Sequence, residues 1–208
     1  HRGHAVHGGQ IGWVALHQGY LPAMHGVAPV GGRYLSLAAF DLARGPDGCW
    51  WLLSQRTQAP SGLGYLLENR AIISRQFPQA FAQLQVHALE GTYRRWLQSL
   101  RAASPAGDRA HVALLTPGPY NETYFEHAYL ARHLGITLVE GHDLTVRGQQ
   151  LFLRTLRGLE QIHVLIKRLD DAYLDPLELM PDSTLGIPGL LQVVRAGQLV
   201  VSNPPGTA

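Results

Sequence analysis

The sequence predicts an α/β fold, mixed α and β, with a partly parallel sheet flanked by helices. One observation is a strand–helix–strand order. The largely apolar run 110–115 leads into Thr116-Pro117-Gly118-Pro119, then a helical stretch over 121–134 ended by Gly135, then Ile136-Thr137-Leu138-Val139. A second observation is another apolar run at 162–167, which supplies a further buried strand. A third is the recurrence of Leu89, Tyr93, Trp96, Leu97 and Leu100 at three- and four-residue steps, one face of a helix.

Composition bounds the possibilities. The chain has 208 residues, 46% of them apolar and 15% charged, which excludes intrinsic disorder and allows one large domain or two small ones. No apolar run approaches the ~18 residues of a bilayer span, so the expectation is a soluble, cytoplasmic protein without a membrane partner. The single cysteine, Cys49, excludes an internal disulfide and a Cys-based zinc cage. A net charge of +2, scattered along the chain, gives no nucleic-acid footprint. Among 17 basic residues Lys167 is the only lysine, so it is the one lysine able to hold a phosphate. The chain opens on His1 with no signal segment and is expected to be a piece of a longer protein.

Taken in order, residues 1–32 are rich in Gly, His and Pro and are expected to form an arm, with Trp13-Val14-Ala15-Leu16 as its one strand-like run. His1, His4 and His7 lack a neighbouring carboxylate or thiol and are read as solvated. Residues 33–40 alternate as a strand, Arg44-Gly45-Pro46-Asp47-Gly48 turns the chain, and Trp50-Trp51-Leu52-Leu53 returns. A Gly/Pro/Ser loop precedes a helix over 64–77, stopped by Pro78, and a second helix covers 89–102. Ser104-Pro105-Ala106-Gly107-Asp108 is the expected internal boundary. After the strand–helix–strand unit come a hairpin turning at Arg147-Gly148, the strand at 162–167, a helix over 188–196 with Pro188 first and Gly197 after it, and a strand at 199–201.

Three polar segments are able to carry chemistry. In Arg56-Thr57-Gln58-Ala59-Pro60-Ser61-Gly62, backbone N–H groups, hydroxyls and a guanidinium face an anion, or Ser61 simply caps the next helix. Glu68 and Asn69 just beyond it offer oxygen ligands for Mg²⁺. In the segment from Thr116 to His127, a strand end and a helix N-terminus make the usual ligand crevice of an open α/β sheet, with Tyr120, Asn121, Glu122, Glu126 and His127 as its polar groups. The plainer alternative is that Asn121 caps the helix and Glu122 complements its dipole. Lys167-Arg168-Leu169-Asp170-Asp171 is either a salt-bridged strand end or the rim of that same crevice. There is no P-loop, dinucleotide fingerprint or nucleophile elbow.

Several longer motifs resemble the circularly permuted ATP-grasp family of bacteria. They are Asp41-Leu42-Ala43-Arg44-Gly45-Pro46-Asp47-Gly48, the Arg56 to Gly62 loop, Leu67-Glu68-Asn69-Arg70, the Leu115 to His127 segment, Arg168-Leu169-Asp170-Asp171, Asp175-Pro176-Leu177-Glu178-Leu179 and Gly186-Ile187-Pro188-Gly189-Leu190-Leu191. They stand in the family's order from about residue 26 to 203. The family is similar in permuted layout to glutathionylspermidine synthase and eukaryotic glutathione synthetase.

The resemblance implies a ligase that activates a carboxylate with Mg-ATP as an acyl phosphate and joins it to an amine or peptide. It divides the chain into an arm (1–32), a first ATP-grasp segment (33–105), a pre-ATP-grasp α/β domain (106–187) and the start of the next lobe (188–208). It implies Arg56 as the catalytic donor and Asp41, Glu68 and Asn69 as Mg²⁺ ligands. Thr57, Gln58, Ser61, Tyr120, Asn121, Glu122, Glu126, His127, Arg168, Asp170 and Asp171 are the implied substrate-binding residues. Gln55 and Ala172 stand where most relatives carry acidic residues. Because the family continues into lysine-bearing lobes, the chain by itself is expected to be catalytically incomplete. The alternatives are a non-catalytic binding or scaffold module, and a nucleotide-binding regulator supported by fold analogy alone.

Overall fold

The structure, a computed structural model, describes residues 19–207; the run at 13–16 and the histidines at 1, 4 and 7 lie outside the described residues. Strands β1 (Ala39–Arg44) and β2 (Trp50–Arg56) form an antiparallel hairpin. Helices α1 (Leu63–Gln76), α2 (Pro78–Gln83) and α3 (Glu90–Ala103) follow. The chain then runs through β3 (Val112–Leu115), α4 (Tyr124–Leu134), β4 (Thr137–Val139), β5 (Leu144–Arg147), β6 (Gln150–Thr155), β7 (Gly158–Ile162), β8 (Val164–Lys167), α5 (Leu190–Arg195) and β9 (Val200–Ser202).

The central sheet has the order β4-β3-β8-β9, and each neighbouring pair is parallel. Its strands are largely apolar because both faces are covered, with Thr137, Lys167 and Ser202 at their ends as the polar exceptions. Alternate residues of β3 show this directly. Val112 and Leu114 join Leu67 of α1, Tyr93, Leu97 and Leu100 of α3, and Leu130 of α4 on one side. Ala113 and Leu115 join Leu190 and Val193 of α5 and the β5–β6–β7 meander, through Leu144, Leu151 and Ile162, on the other. The expected strand–helix–strand unit is therefore present, with α4 on one face and its N-terminus at the end of β3. Gly135 closes α4 in the left-handed conformation, its N–H reaching Arg132 O.

Several local expectations shift. The strand expected at 33–40 begins only at residue 39, because the backbone before it bonds to a side chain instead of a ladder. Asn203 Oδ1 accepts the N–H groups of Ser36 (2.8 Å) and Leu37 (3.1 Å), and Asn203 Nδ2 donates to Leu37 O (2.6 Å). Pro78 ends α1 but also opens α2 at its first position, where a missing N–H costs nothing. β7 was not anticipated; it is an edge strand of mixed composition. α5 starts at Leu190, after Pro188, with Asp175 reaching across to accept the N–H groups of Gly189 (3.0 Å) and Leu191 (2.9 Å). The β1–β2 hairpin leaves Phe40, Leu42, Trp50, Trp51, Leu52 and Leu53 more than half exposed.

Lys167 corrects another expectation. Its side chain is fully buried, its Nζ lies 2.7 Å from Asp171 Oδ1 and donates to Gln58 O at 2.8 Å. Burial pushes its pKa down, against the pull of Asp171. This ammonium is spent inside the protein and is not free to hold a phosphate. Asp171 in turn accepts the Gly206 N–H (2.8 Å), its own N–H goes to Gln58 Oε1 (3.0 Å), and Thr57 Oγ1 donates to Thr207 O (2.6 Å). The end of β8, the loop after β2 and the segment after β9 are thus tied at one point.

Removing one member of a buried ion pair leaves the other charge uncompensated, typically at about 3–5 kcal/mol. Lys167→Met keeps the unbranched stem and deletes the charge, so urea unfolding should show a loss of that order. A loss below about 1 kcal/mol would mean that the three segments are held by their other contacts.

Candidate functional site

The loops at the carboxyl ends of β3 and β8 enclose a crevice of about 420 Å³, lined among others by Ser61, Asn121, Thr123, His127, Arg168 and Asp170. All three polar segments singled out from the sequence contribute to it. This is where open parallel sheets bind ligands, because the loops diverge there and helix N-termini point inward.

Arg168 is the first residue beyond β8, and its N–H continues the ladder to Leu115 O (2.9 Å). Its side chain is only 2% exposed. Nη2 lies 3.6 Å from Glu126 Oε1, and neither Nε nor Nη2 has a hydrogen-bond acceptor. Glu126 is fully buried on α4, and its Oε1 accepts the N–H groups of Gly62 (2.7 Å) and Gly64 (3.3 Å). The carboxylate therefore caps α1 from a neighbouring helix while facing the guanidinium. A Cβ at residue 64 would sit 2.8 Å from Glu126 Cγ, so only glycine allows this approach. Through this contact the loop is held with Ser61 at the crevice.

The opposite wall is the loop between β3 and α4. Gly118 has φ +101°, a conformation that β-carbon-bearing residues resist, and its N–H bonds to Thr116 Oγ1 (3.2 Å). Asn121 is not the cap of α4; Thr123 holds that position. Asn121 Oδ1 instead accepts the Thr123 N–H (2.9 Å) and hydroxyl (2.5 Å), an Asx turn that leaves α4 without a side-chain cap. His127 bridges the two threonines, Nδ1 to Thr116 Oγ1 (2.9 Å) and Nε2 to Thr123 Oγ1 (3.1 Å). Because the Thr123 hydroxyl gives its proton to Asn121, His127 Nε2 must be the donor, and Nδ1 accepts from Thr116. Burial, and next the Arg168 guanidinium, push the His127 pKa down to about 4, so the ring is neutral at pH 7.

The remaining residues named from the sequence fall into three places. Gln58, Thr57 and Asp171 belong to the tie around Lys167 and do not line the crevice. Glu122 and Asp170 are exposed on its rim, while Tyr120 is fully exposed and does not line it. Arg56 and Asp41 face each other across the hairpin at 2.9 Å, with side chains 63% and 49% exposed, and the Ser54 hydroxyl also donates to Asp41. Glu68 accepts from Tyr129 Oη (2.6 Å) and lies 3.7 Å from Arg75, and Asn69 is exposed on α1. Among the described residues no group of three His, Cys, Asp or Glu side chains could hold a metal ion. Sequence reasoning did not single out Thr123, Tyr173 or Leu185 of the lining. For Thr123 a signal existed, since it stands four residues before His127 at the start of a helix.

A histidine held below its ordinary pKa takes up a proton in the unfolded chain before it does in the folded one. Its contribution is therefore present above about pH 6.5 and lost as the pH falls toward 4, at about 1.4 kcal/mol per unit of pKa difference. The slope of stability against pH over that window should flatten in His127→Gln. An unchanged slope in chemical denaturation at pH 7, 6, 5 and 4 would show that His127 titrates normally.

The described residues contain no helix long and apolar enough to cross a membrane. Among the relatives that share most of this chain are three that illustrate the range. They are the uncharacterized protein sll0335 of Synechocystis sp., 38% identical over 91% of the chain and 40% of the relative, and two of Mycobacterium tuberculosis. Of the latter, Rv2411c is 42% identical over 87% of the chain and 33% of the relative, and Rv2567 is 38% identical over 92% and 22%. The chain thus spans well under half the length of these relatives. Residues 10–208 match the family described as circularly permuted ATP-grasp type 2, whose mixed α/β architecture agrees with the fold, and the chain belongs to that family.

Proposed function

We propose that this chain is the substrate-binding and first ATP-grasp segment of an ATP-dependent carboxylate–amine ligase. The observation that carries the reading, beside the family, is the convergence of three polar segments on one crevice holding a buried guanidinium with unfilled donors. In this chemistry ATP supplies the phosphoryl group that turns a carboxylate into an acyl phosphate, which an amine then displaces. On this reading residues 33–105 and 106–187 act as an ATP-grasp segment and a pre-ATP-grasp domain. Arg168, Asn121, Glu122, His127, Asp170 and Ser61 hold substrate. Glu126, Gln58, Thr57 and Asp171 orient them.

Arg56 is the proposed catalytic donor, and its geometry suits the task. A planar fork grips two oxygens at once, which an ammonium cannot. Its pair with Asp41 is exposed, and such pairs contribute only about 0–1 kcal/mol, so the pair opens readily. Opening it frees a carboxylate for Mg²⁺ and a guanidinium for phosphate together. Mg²⁺ is commonly held by one or two carboxylates plus phosphate oxygens, and on this reading Asp41 is the carboxylate offered to it, with Glu68, now bonded to Tyr129 Oη, and Asn69 as the further oxygen ligands. One observation favours the non-catalytic alternative: Asp41 and Arg56 already satisfy each other.

The two readings separate on a polypeptide of the relatives' length carrying this segment. Mg-ATP turnover should appear with some member of a panel of amino acids and peptides, and its complete absence across the panel would favour the binding module. Arg56→Lys should lower turnover on the order of 10²-fold, more than it lowers substrate affinity, because the lost donor acts on charge that grows in the transition state. A structural ion pair would behave differently, with a lower melting temperature and unchanged turnover per folded molecule.

A further inference from the structure

The charges of the crevice are sorted by depth. Inside lies Arg168, 2% exposed, with Nε and Nη2 lacking acceptors and, among the described residues, Glu126 at 3.6 Å as its ion-pair partner. Beside it is the N-terminus of α4, left without a side-chain cap. His127 adds no charge, because both ring nitrogens are engaged by threonine hydroxyls. On the rim stand Glu122 and Asp170, both exposed and neither in an ion pair among the described residues. With Arg168 and Glu126 offsetting each other, two negative charges remain at the mouth.

This sorting selects a class of ligand. A phosphate or nucleotide, with two or more negative charges, is repelled at the mouth by the carboxylates. A simple cation is welcome at the rim but is repelled further in by the Arg168 guanidinium that lines the crevice and by the positive end of α4. A ligand with one carboxylate and one ammonium answers both ends. We infer that the crevice binds a zwitterion, an amino acid or a short peptide, with its carboxylate toward Arg168 and the start of α4 and its ammonium toward Asp170 and Glu122. The volume, about 420 Å³, is near the lower end of the ~300–1,000 Å³ usual for ligand pockets and suits one or two residues. The inference rests on the ligase reading in one respect, the assignment of that zwitterion as the amine partner; the nucleotide then binds outside this crevice.

The test is a titration of the 208-residue chain, followed by backbone and histidine NMR shifts, with L-alanine, propionate, ethylamine, inorganic phosphate and Mg-ATP. L-alanine should saturate shifts at Thr123, His127 and Arg168, with propionate and ethylamine about tenfold weaker or more. Phosphate and Mg-ATP should leave those residues unmoved. Asp170→Asn and Glu122→Gln change exposed side chains and should not impair folding. Each should weaken L-alanine severalfold and leave propionate unaffected or slightly tighter. Propionate binding as well as L-alanine, phosphate or Mg-ATP moving the same residues, or no shift with any probe would each overturn the inference. The two proposals fail separately. Saturation by L-alanine in the chain, without ligation by a protein of the relatives' length, sinks the ligase reading alone. A crevice that prefers phosphate in an active ligase sinks this inference alone.

Discussion

The contact between Lys167 and Asp171 holds together what the rest of the site needs. β8 is an interior strand of the parallel sheet, and its last residue places an ammonium in the protein interior, 2.7 Å from a carboxylate four residues on. Such a pair adds little net stability compared with apolar side chains of the same size. It constrains position instead. A buried ammonium has three protons to place, and here Gln58 O takes one, which fixes the loop after β2 against the sheet. The carboxylate takes the Gly206 N–H and so fixes the chain beyond β9. Asn203 extends the tie to residues 36 and 37 and to Thr57 O. Four segments distant in sequence share one polar knot.

The elements that were legible are those whose burial is written in short-range pattern. β3, β4 and β8 are apolar but for Thr137 and Lys167 because helices and a meander cover both faces, α3 shows a helical repeat, and α4 is closed by Gly135. What was not legible depends on partners far away. Residues 33–38 alternate as a strand does, yet the backbone of Ser36 and Leu37 bonds to Asn203, some 166 positions later. Lys167 and Asp171 are legible as a salt-bridged strand end, but nothing local reports that the pair is enclosed. β7 carries Gly158, Glu160 and Gln161, a composition suited to an exposed edge and to a loop alike.

The same distinction applies to the site. Ser61, Asn121, His127, Arg168 and Asp170 were all recognisable as polar groups at loop or strand ends, and the topology of a parallel sheet brings such ends together. Their division of labour was not recognisable. Glu126 and Asp171 have the side chains of ligand-binding residues but are committed to backbone N–H groups and cations inside the protein. Tyr120, by contrast, has a suitable hydroxyl and points entirely into solvent. Residue type and spacing identify what a side chain is able to do. Burial decides whether a ligand or the protein itself receives it.

The two arginines named from the sequence illustrate how burial sets function. Arg56 pairs with Asp41 in water, where charge interactions are weak and exchange is cheap. Such a group can be recruited when an anion arrives and released afterward, which is the behaviour required of a donor that acts on a transient charge. Arg168 is enclosed, short of acceptors and held by a single carboxylate beyond hydrogen-bonding distance. It cannot move to meet a ligand without abandoning Glu126, and Glu126 cannot move without uncapping α1. A guanidinium fixed in this way has already met its ordering cost in the fold, so a carboxylate reaching it gains the interaction with little further loss of freedom. The exposed arginine is thereby suited to a step that comes and goes. The buried one is suited to holding a substrate still while that step occurs.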